Sequence, residues 1–374
     1  MNLFTYVQPA AMLVLGTVGV ALFGIIFGLL YKGIDRKISA HMQGRIGPPI
    51  IQPFRDVRKL FVKENIVPEH AIPWIFNLIP LIGLVATITI LLYLPIGGFE
   101  PVTSLVGGMD FGDLILVLYL LIIPSLALVI GGFSSGSPYA IVGAQREMAT
   151  MIAYEFPLAI VIISIAFRLL QQPAVENVAI ENVFAITTVT GYPLWDIVGP
   201  IGFIGAIILL FVLVIVTPAE LSKIPFDSPE AETEIGGGLL VEYSGRNLAM
   251  FYLMDGVKTI AMATIIVALF FPYNLSPFFT GLPLLGQYAI DIVFFLVKIF
   301  LIILFSVTLI RVGVARLKID QIVYTYWIPL TLLGLIGLIL LMWDPWTMQP
   351  QMINMFGFQI DWAGWPAISE LLSF

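Results

Sequence analysis

Long apolar segments recur along the whole chain and are separated by shorter polar ones. A helix needs about 20 apolar residues to cross the hydrocarbon core of a bilayer, and the segments reach that length. The pattern therefore predicts an all-α polytopic membrane protein with eight transmembrane helices, forming a single membrane domain over residues 1–374. The predicted helices are residues 10–31, 74–94, 113–131, 148–169, 199–217, 248–271, 289–311 and 322–342.

Composition agrees with a bilayer as the solvent. Hydrophobic side chains make up 59% and charged ones 11% of the 374 residues, against about 25% charged in an ordinary soluble domain. Cysteine is absent, so this chain can hold no disulfide, thiolate metal site or iron–sulfur cluster. His41 and His70 have no ligand-like neighbours, and we expect neither a metal site nor a cofactor in this chain. Nothing in the sequence indicates a nucleic-acid partner.

Basic residues are distributed unevenly between the two sides of the predicted membrane domain. All but three of the 17 lysines and arginines fall in every second connecting segment. These segments are residues 32–73, 132–147, 218–247 and 311–321. By the positive-inside rule they are cytoplasmic and both termini lie outside, which we place at the plasma membrane of a prokaryotic cell. The tail, residues 343–374, is amphipathic and rich in tryptophan, which predicts a belt on the outer interface.

A short amphipathic helix is predicted in the first cytoplasmic segment. Pro53 suits the first turn of a helix, and Phe54, Val57, Leu60 and Phe61 then form one apolar stripe. The opposite side carries Arg55, Asp56, Arg58, Lys59 and Lys63. Such a helix lies in the membrane interface, either as an anchor on anionic lipid headgroups or as a docking surface for a cytoplasmic partner.

The first predicted helix contains Gly24 and Gly28, four residues apart. This GxxxG spacing lets a neighbouring backbone approach closely. Ordinary close packing of a glycine-rich helix would leave the same pattern, so we expect a tight helix contact there and assign it no function.

Four charged residues fall well inside predicted helices, where an unpaired charge is costly. Glu155 lies about 10 Å inside the fourth helix, at 1.5 Å per residue. Asp255 and Lys258 share one face of the sixth helix, and Lys298 lies near the middle of the seventh. Because three separate helices carry them, they predict a polar path. The alternative is a buried Asp255–Lys258 pair that holds two helices together.

The segment from Thr217 to Arg246 concentrates carboxylates between two apolar helices. Six of the 24 acidic residues lie in it: Glu220, Asp227, Glu230, Glu232, Glu234 and Glu242. Like charges and desolvation both raise carboxyl pKa values, and groups tuned in this way can carry protons. The alternative is a solvated acidic surface that recruits a basic partner or keeps the loop soluble.

One short helix is predicted within this long acidic loop. Asp227 or Ser228 is expected to cap it, and its first turn then carries Glu230 and Glu232, which the helix dipole favours. In such a helix Glu230 and Glu234 are four residues apart, so they share a face and repel each other.

Several long stretches carry a family resemblance. They read DRKISAHMQGRIGPP (35–49), QPFRDVRKLFVKE (52–64), AQREMATMIAYE (144–155), AELSKIPFDSPEAETEI (219–235) and VEYSGRNLAMFYL (241–253). In them the chain resembles one membrane subunit of respiratory complex I, the H subunit of the bacterial enzyme, known in mitochondria as NADH dehydrogenase subunit 1. It also resembles the homologous subunit of energy-converting membrane-bound hydrogenases.

The resemblance implies an eight-helix subunit that joins a peripheral redox arm to antiporter-like, ion-pumping membrane subunits. It assigns residues 32–73 and 218–247 to the contact with the hydrogenase-like large and small subunits of that arm. Iron–sulfur clusters, with a nickel–iron centre in the hydrogenase type, would reside in those partners. The basic residues expected at this contact are Arg36, Arg45, Arg55, Arg58, Lys59 and Arg146. The charged path would comprise Glu155, Asp255 and the six loop acids, to which we add Lys258 and Lys298.

The chain departs from the usual complex I pattern in two of these stretches. GPPIIQPFRDVRKLFVKE stands in place of GPLGxLQPxADGxKLxxKE, and KIPFDSPEAETEI in place of RAPFDLPEAESEL. Both departures look more like the hydrogenase-type and sulfur-reductase-type relatives, which use ferredoxin electrons. We therefore expect a non-catalytic coupling subunit of such a complex. The alternatives are a quinone-chamber subunit of complex I and a free-standing secondary ion transporter, although no inverted repeat of the transporter kind is visible.

Overall fold

The computed structural model describes residues 4–102, 113–171, 183–279, 281 and 283–347, which are almost entirely helical. The α-helices before the acidic loop are α1 (Phe4–Met42), α2 (Gln52–Val62), α3 (Pro73–Tyr93), α4 (Asp113–Ser134), α5 (Pro138–Leu170), α6 (Ile186–Gly191), α7 (Leu194–Ile197) and α8 (Pro200–Glu220). The remaining ones are α9 (Glu232–Ile235), α10 (Gly245–Phe270), α11 (Leu284–Ile303), α12 (Leu309–Gly313), α13 (Ile319–Thr325) and α14 (Thr331–Thr347).

Eight helical segments in the described part of the chain are long and apolar enough to cross a membrane. Six of them are α1, α3, α4, α5, α8 and α10. The seventh runs from α11 through a π-helix (Leu304–Thr308) into α12, and the eighth runs from α13 through a π-helix (Tyr326–Leu330) into α14. The prediction of an all-α membrane protein with eight spanning helices is confirmed.

Two of these helices extend further than hydropathy indicates. α1 continues to Met42 and ends where Gly44 adopts a φ of 72°, with Arg45 N donating to Ala40 O, an ending that glycine favours. α5 begins at Pro138, ten residues earlier than residue 148, because proline suits the first turn of a helix. Hydropathy marks where a helix leaves the apolar layer, whereas its hydrogen bonds continue into the polar region.

The connections between the spans meet on two faces. One of them, which we call the charged face, is formed by residues 43–72, 135–137, 221–244 and 314–318. There Ile72 N donates to Ser134 O, and Leu317 N donates to Pro225 O. The first contact joins the connection before α3 to the end of α4, and the second joins the acidic loop to the connection after α12.

α10 is the central element of the fold. It is almost fully buried and packs against α1, α2, α3 and α11. Where it crosses α1, a Cβ atom on Gly28 would lie 2.6 Å from the carbonyl carbon and oxygen of Gly256, and one on Gly24 would lie 2.6 Å from Leu91 Cδ1. The close approach expected from the GxxxG spacing therefore occurs, and it brings the charged end of α1 against α10.

The predicted amphipathic helix corresponds to α2, which carries Pro53 in its first turn. Val57 is buried against Leu29 of α1 and Leu253 of α10, with Phe54 partly buried beside them. Phe61 is 52% exposed, so the part of the apolar stripe that packs within the chain is centred on Val57.

A buried ion pair joins three helix ends on the opposite face. Asp344 of α14 accepts hydrogen bonds of 2.8 Å from the backbone N–H groups of Gly199 and Gly202, at the start of α8. Its carboxylate is 3.3 Å from Nη2 of Arg168, near the end of α5, and the two side chains are 0% and 2% exposed. Arg168 also donates to Ile197 O. Asp344 thus caps α8 and is neutralised by α5.

The predicted outer-face tail, residues 343–374, falls largely outside the described residues. Its first residues continue α14 to Thr347, and the tryptophan belt expected beyond them lies outside the part of the chain that the structure describes.

Candidate functional site

A cavity of about 210 Å³ opens between α1, α10 and the acidic loop on the charged face. Charged side chains form much of its wall: Lys32, Arg36, Glu220, Lys223, Glu230, Asp255 and Lys258. Ionisable groups at membrane depth are costly and mark functional sites by default. This cavity is therefore the candidate functional site.

Asp255 lies at the centre of one group of charges in this cavity. Its two carboxylate oxygens accept hydrogen bonds of 2.8 and 2.7 Å from Nζ of Lys223, and Nζ of Lys32 lies 2.5 Å from Oδ2. Lys32 also lies 3.4 Å above the ring of Tyr252, where a cation is attracted. The alternative Asp255–Lys258 pair does not form, because Asp255 is engaged by lysines of α1 and the acidic loop.

Lys258 instead pairs with Glu220 in the interior. Its Nζ is 2.8 Å from Glu220 Oε1, and the two side chains are 5% and 2% exposed. Nζ also donates to the carbonyl oxygen of Glu220 at 2.6 Å and to Ser125 Oγ at 2.8 Å. Ser125 Oγ is in turn 3.0 Å from the hydroxyl of Tyr154. A hydrogen-bonded group thus links α8, α10, α4 and α5.

Glu155 and Glu147 of α5 complete the cluster. Glu155 interacts electrostatically with Glu220 and Lys258, and its Oε1 is buried with no hydrogen-bond partner among the described residues. Glu147 is 1% exposed and accepts a hydrogen bond from the Ser222 hydroxyl, which lies 3.3 Å from Oε2. Glu147 was not among the predicted site residues because it stood in a predicted connection, residues 132–147. The sequence feature that could have identified Glu147 is its spacing of eight residues from Glu155, which places both carboxylates on nearby faces of one helix.

The acidic loop does not contain the capped helix that was predicted. Ser228–Glu230 form a 3₁₀ turn and Glu232–Ile235 form the short helix α9, and neither has a side-chain cap. Asp227 cannot cap because its carboxylate binds Arg316, at 2.8 Å from Nε and 2.5 Å from Nη2. The ion pair with Arg316 fixes the loop instead.

The expected repulsion between Glu230 and Glu234 is also wrong, because the two residues belong to different turns. Glu230 lines the cavity, whereas Glu234 binds Arg146 at 2.5 Å. Glu232 is exposed and Glu242 is half-buried. The six loop acids therefore occupy different environments, from the interior (Glu220) to the surface (Glu232).

Burial raises the pKa of Glu230 above its ordinary value, Asp255 and Asp227 add to the rise, and Lys223 and Lys32 oppose it. The folded protein therefore binds a proton at Glu230 more tightly than the unfolded chain does. This difference stabilises the fold fully below the unfolded-state pKa of about 4.3. This contribution is lost as the pH rises through the higher folded-state pKa. We expect the stability of Glu230→Gln to change less with pH between these two pKa values. Above the folded-state pKa, the variant should be more stable than the wild type.

Thermal unfolding midpoints of the purified protein, measured from acid to neutral pH, test this prediction. Parallel profiles for the wild type and the glutamine variant would show that Glu230 titrates as it does in the unfolded chain.

The residues predicted to contact a peripheral arm divide into two groups. Arg55, Arg58 and Lys59 are exposed on α2 and line a shallow groove on its outer side. Arg45 is exposed beyond α1 and is hydrogen-bonded to Gln43. The other two are engaged within the chain: Arg36 lies 3.2 Å from Asp56 and Arg146 lies 2.5 Å from Glu234. The first group is available to a partner.

Lys298 lies at the opposite end of α10 from this cluster. Its Nζ donates to the carbonyl oxygens of Phe271, at 2.9 Å, and Tyr273, at 2.7 Å, just after α10 ends. It satisfies carbonyls at a helix C-terminus, a favourable place for a cation. Thirteen residues of rise place Phe271 about 20 Å from Lys258 along the axis. Lys298 lines a second cavity there, of about 310 Å³, with Val267 and Ala268.

The chemistry of the cluster is that of ion pairs. Among the described residues, no group of three or more His, Cys, Asp or Glu side chains is placed to hold a metal ion. Asp255, Glu220 and Asp227 are instead held within hydrogen-bonding distance of lysine or arginine side chains. Such an arrangement can exchange partners and move protons between neighbouring carboxylates.

A sequence profile described as NADH dehydrogenase matches residues 15–342, which is most of the chain and includes every member of the cluster. The chain belongs to the NADH dehydrogenase family. The predicted resemblance is thereby confirmed at the level of the family.

Three named relatives are similar over most of this chain. An NADH-quinone oxidoreductase H subunit of Koribacter versatilis is 33% identical over 271 residues, which are 68% of this chain but only 60% of that protein. The NADH-quinone oxidoreductase H subunit of Brevibacillus brevis is 32% identical, over 86% of this chain and 90% of that protein. The F(420)H(2) dehydrogenase H subunit of Methanosarcina mazei is 30% identical, over 88% of this chain and 94% of that protein.

A solved structure shows the same fold. A chain of the membrane-bound sulfane sulfur reductase (MBS), described as an archaeal respiratory membrane complex, superimposes with a TM-score of 0.73 at 28% identity. The match covers 88% of this chain and 99% of that one. The chain is thus similar both to H subunits of NADH-quinone oxidoreductases and to a chain of a sulfane sulfur reductase complex, as the resemblance in its sequence predicted.

Proposed function

We propose that this chain is the non-catalytic coupling subunit of a ferredoxin-linked respiratory membrane complex of the hydrogenase or sulfur-reductase type. It links a peripheral redox arm to antiporter-like subunits that translocate protons or sodium ions. The observation that carries this proposal is the cluster of charges that begins in the acidic loop and continues between the helices to Glu155. The similarity to a chain of the sulfane sulfur reductase supports the type of complex.

The proposed path has an order that follows the contacts. Glu230, in the loop, interacts with Asp255 and its lysines. Glu147 interacts with Glu230 on one side and with Glu220 and Lys258 on the other. Glu155 follows, because it interacts with the Glu220–Lys258 pair. Each step joins neighbouring groups, so a change of charge in the loop can alter the electrostatic environment of Glu155.

The last member of this path indicates where the next membrane subunit binds. Ile152 and Phe156, which flank Glu155 on α5, are 51% and 57% exposed. Glu155 therefore lies at the margin between the interior and the outer surface of the helices. A carboxylate beside lipid is costly, so we propose that an antiporter-like subunit covers this surface of α5 and receives the path.

The peripheral arm would bind on the charged face. The exposed basic side of α2 and the exposed Glu232 of the acidic loop offer it charges of both signs. Iron–sulfur clusters, and a nickel–iron centre in the hydrogenase type, would belong to that arm. In this proposal the charged face is cytoplasmic, and both termini lie outside the plasma membrane of a prokaryotic cell.

A quinone-chamber subunit is the second candidate, because two relatives are named as subunits of NADH-quinone oxidoreductase. Small-molecule sites are lined mainly by apolar and aromatic side chains with few polar groups. The cavity at Asp255 has seven charged residues in its wall, which favours an ion-pair path over a quinone ring. Robust, inhibitor-sensitive quinone reduction by the purified complex would overturn this preference.

We expect Glu155→Gln and Glu232→Gln to leave the complex assembled but to lower coupled ion transport. Each variant keeps the side-chain shape, so packing is retained. Glu155→Gln removes the last carboxyl group of the path, and Glu232→Gln removes an exposed charge at the proposed contact with the peripheral arm. We expect about fivefold fewer ions per electron, the lower end of typical coupling between two sites. The measurement is ion uptake into liposomes containing the complex, together with its electron-transfer rate.

Asp320→Asn is the matched control, since Asp320 is an exposed carboxylate of α13 outside the proposed path. If both glutamine variants transported ions at the control rate, the carboxylates would have a structural role only.

A further inference from the structure

Four ion pairs on the charged face, connected to one another by short stretches of the chain, form a ring that includes residues absent from the proposed path. Its members are Lys223, Asp255, Lys32, Asp35, Arg311, Arg316 and Asp227, which we call the ion-pair ring. It passes from the acidic loop to α10, then to α1, α12 and back to the loop.

Asp35 is the least expected member of the ring. It lies in the part of α1 that hydropathy indicates as a loop, and it is 8% exposed. Its Oδ2 is 3.0 Å from Arg311 Nη1, and its Oδ1 accepts a hydrogen bond of 2.7 Å from the Thr308 hydroxyl. Ser39 also donates to Oδ1, at 3.4 Å. Asp35 is thus a buried carboxylate with three partners on two helices.

Two of the partners of Asp35, Thr308 and Arg311, come from the irregular part of the seventh span. Thr308 is the last residue of the π-helix, and Arg311 lies in α12, which follows it directly. π-helical turns are rare and occur frequently at functional sites. Here the turn directs a hydroxyl and a guanidinium at one carboxylate of α1.

Asp35 lies three residues after Lys32, and residues with this spacing share one face of a helix. Lys32 reaches Asp255 at 2.5 Å on one side, while Asp35 is held by Arg311 on the other. The row Lys223, Asp255, Lys32, Asp35, Arg311 therefore alternates in sign from the acidic loop to α12. Lys32 and Asp35 are therefore connected through α1, and each has its own ion-pair partner.

The ring closes through the acidic loop itself. Arg316, five residues after Arg311, binds both oxygens of Asp227, and Leu317 N donates to Pro225 O at 3.1 Å. Asp227 lies four residues after Lys223, where the row began. The loop is therefore attached to α10 at one point and to the segment after α12 at another.

We propose that Asp35 is a positioning residue of the charged path, acting through Lys32. With Thr308 and Arg311 it fixes the rotation and height of α1, and this fixes Lys32 on Asp255. A movement of the acidic loop then displaces α1 and α12 together, because the ring joins all three. This inference rests on the proposed coupling function and adds α1 and α12 to it.

The test uses the whole complex in liposomes, with ions transported per electron as the readout and assembly measured separately. We expect Asp35→Asn and Lys32→Met each to lower this ratio about fivefold or more, with electron transfer retained. The double variant should show no further loss, because Asp35 acts through Lys32. Asp35→Glu should restore most of the ratio, and Asp320→Asn should leave it unchanged.

A second variant covers the case in which Asp35→Asn fails to assemble because Arg311 loses its partner. Asp35→Asn/Arg311→Gln removes both charges, and it should assemble and show the same loss. If the losses of Asp35→Asn and Lys32→Met multiply in the double variant, Asp35 acts independently and the inference is overturned. Normal coupling in the Asp35 variants with a defect in Glu155→Gln would overturn the inference alone. Normal coupling in both would overturn the proposed function as well.

Discussion

Replacing Lys258 with methionine is expected to destabilise the protein by about 3–5 kcal/mol, the usual cost of removing one partner of a buried ion pair. The substitution leaves the carboxylate of Glu220, which is 2% exposed, without its cation. It also removes the hydrogen bonds to Ser125 Oγ and to the carbonyl oxygen of Glu220. Detergent-induced unfolding of the purified protein, followed by circular dichroism, measures the change.

The double variant Lys258→Met/Glu220→Gln separates the cost of an unpaired charge from the cost of lost packing. With both charges removed, we expect most of the stability to return, since apolar or neutral replacements of a buried pair are often tolerated. If the double variant were as unstable as Lys258→Met, the lost hydrogen bonds, and not the unpaired carboxylate, would explain the effect.

Asp344→Leu is expected to destabilise the protein by about 3–5 kcal/mol as well, but from the opposite face. It leaves the Arg168 guanidinium buried without its anion and removes the acceptor for Gly199 N and Gly202 N at the start of α8. Arg168→Leu should cost less, about 1–3 kcal/mol, because the carboxylate keeps two backbone donors and the positive end of a helix dipole. The same unfolding measurement shows which of the two variants is less stable.

This second pair also serves as a control on function. Asp344 and Arg168 lie outside the proposed path, so we expect ions transported per electron to be unchanged in whatever fraction of these variants assembles. Equal destabilisation by the two leucine variants would show that the backbone donors at α8 contribute nothing, contrary to the geometry.

The eight spans were predictable because each needs about 20 apolar residues to cross the bilayer, and these residues are consecutive in the sequence. Glu155 and Asp255 were predictable for a related reason: a charge inside an apolar run is conspicuous. The ion-pair partner of each charge was not predictable. Asp255 binds Lys32 because Gly28 allows α1 to approach Gly256, and this contact joins residues that are far apart in the chain.

The residues that sequence reasoning missed stand where helices leave the apolar layer. Asp35 and Glu147 both fall in helical turns that hydropathy indicates as loops, although they are 8% and 1% exposed. The short helix expected after Asp227 failed for a similar reason, since Arg316, which is distant in the sequence, binds the side chain that would have capped it. Burial beyond the apolar layer depends on tertiary contacts, which a hydropathy pattern does not report.

The position of α10 between two cavities has an electrical consequence. Lys258 lines the cavity on the charged face and Val267 lines the other, and nine residues of rise separate them by about 14 Å. Between them Ile260–Ile266 are at most 2% exposed, so we expect the membrane potential to fall mainly across this segment. Moving one charge through that field involves about 2.3 kcal/mol per 100 mV. Charges that move within the cavity on the charged face cross only a small part of this field. We therefore expect their rearrangement to be nearly independent of voltage.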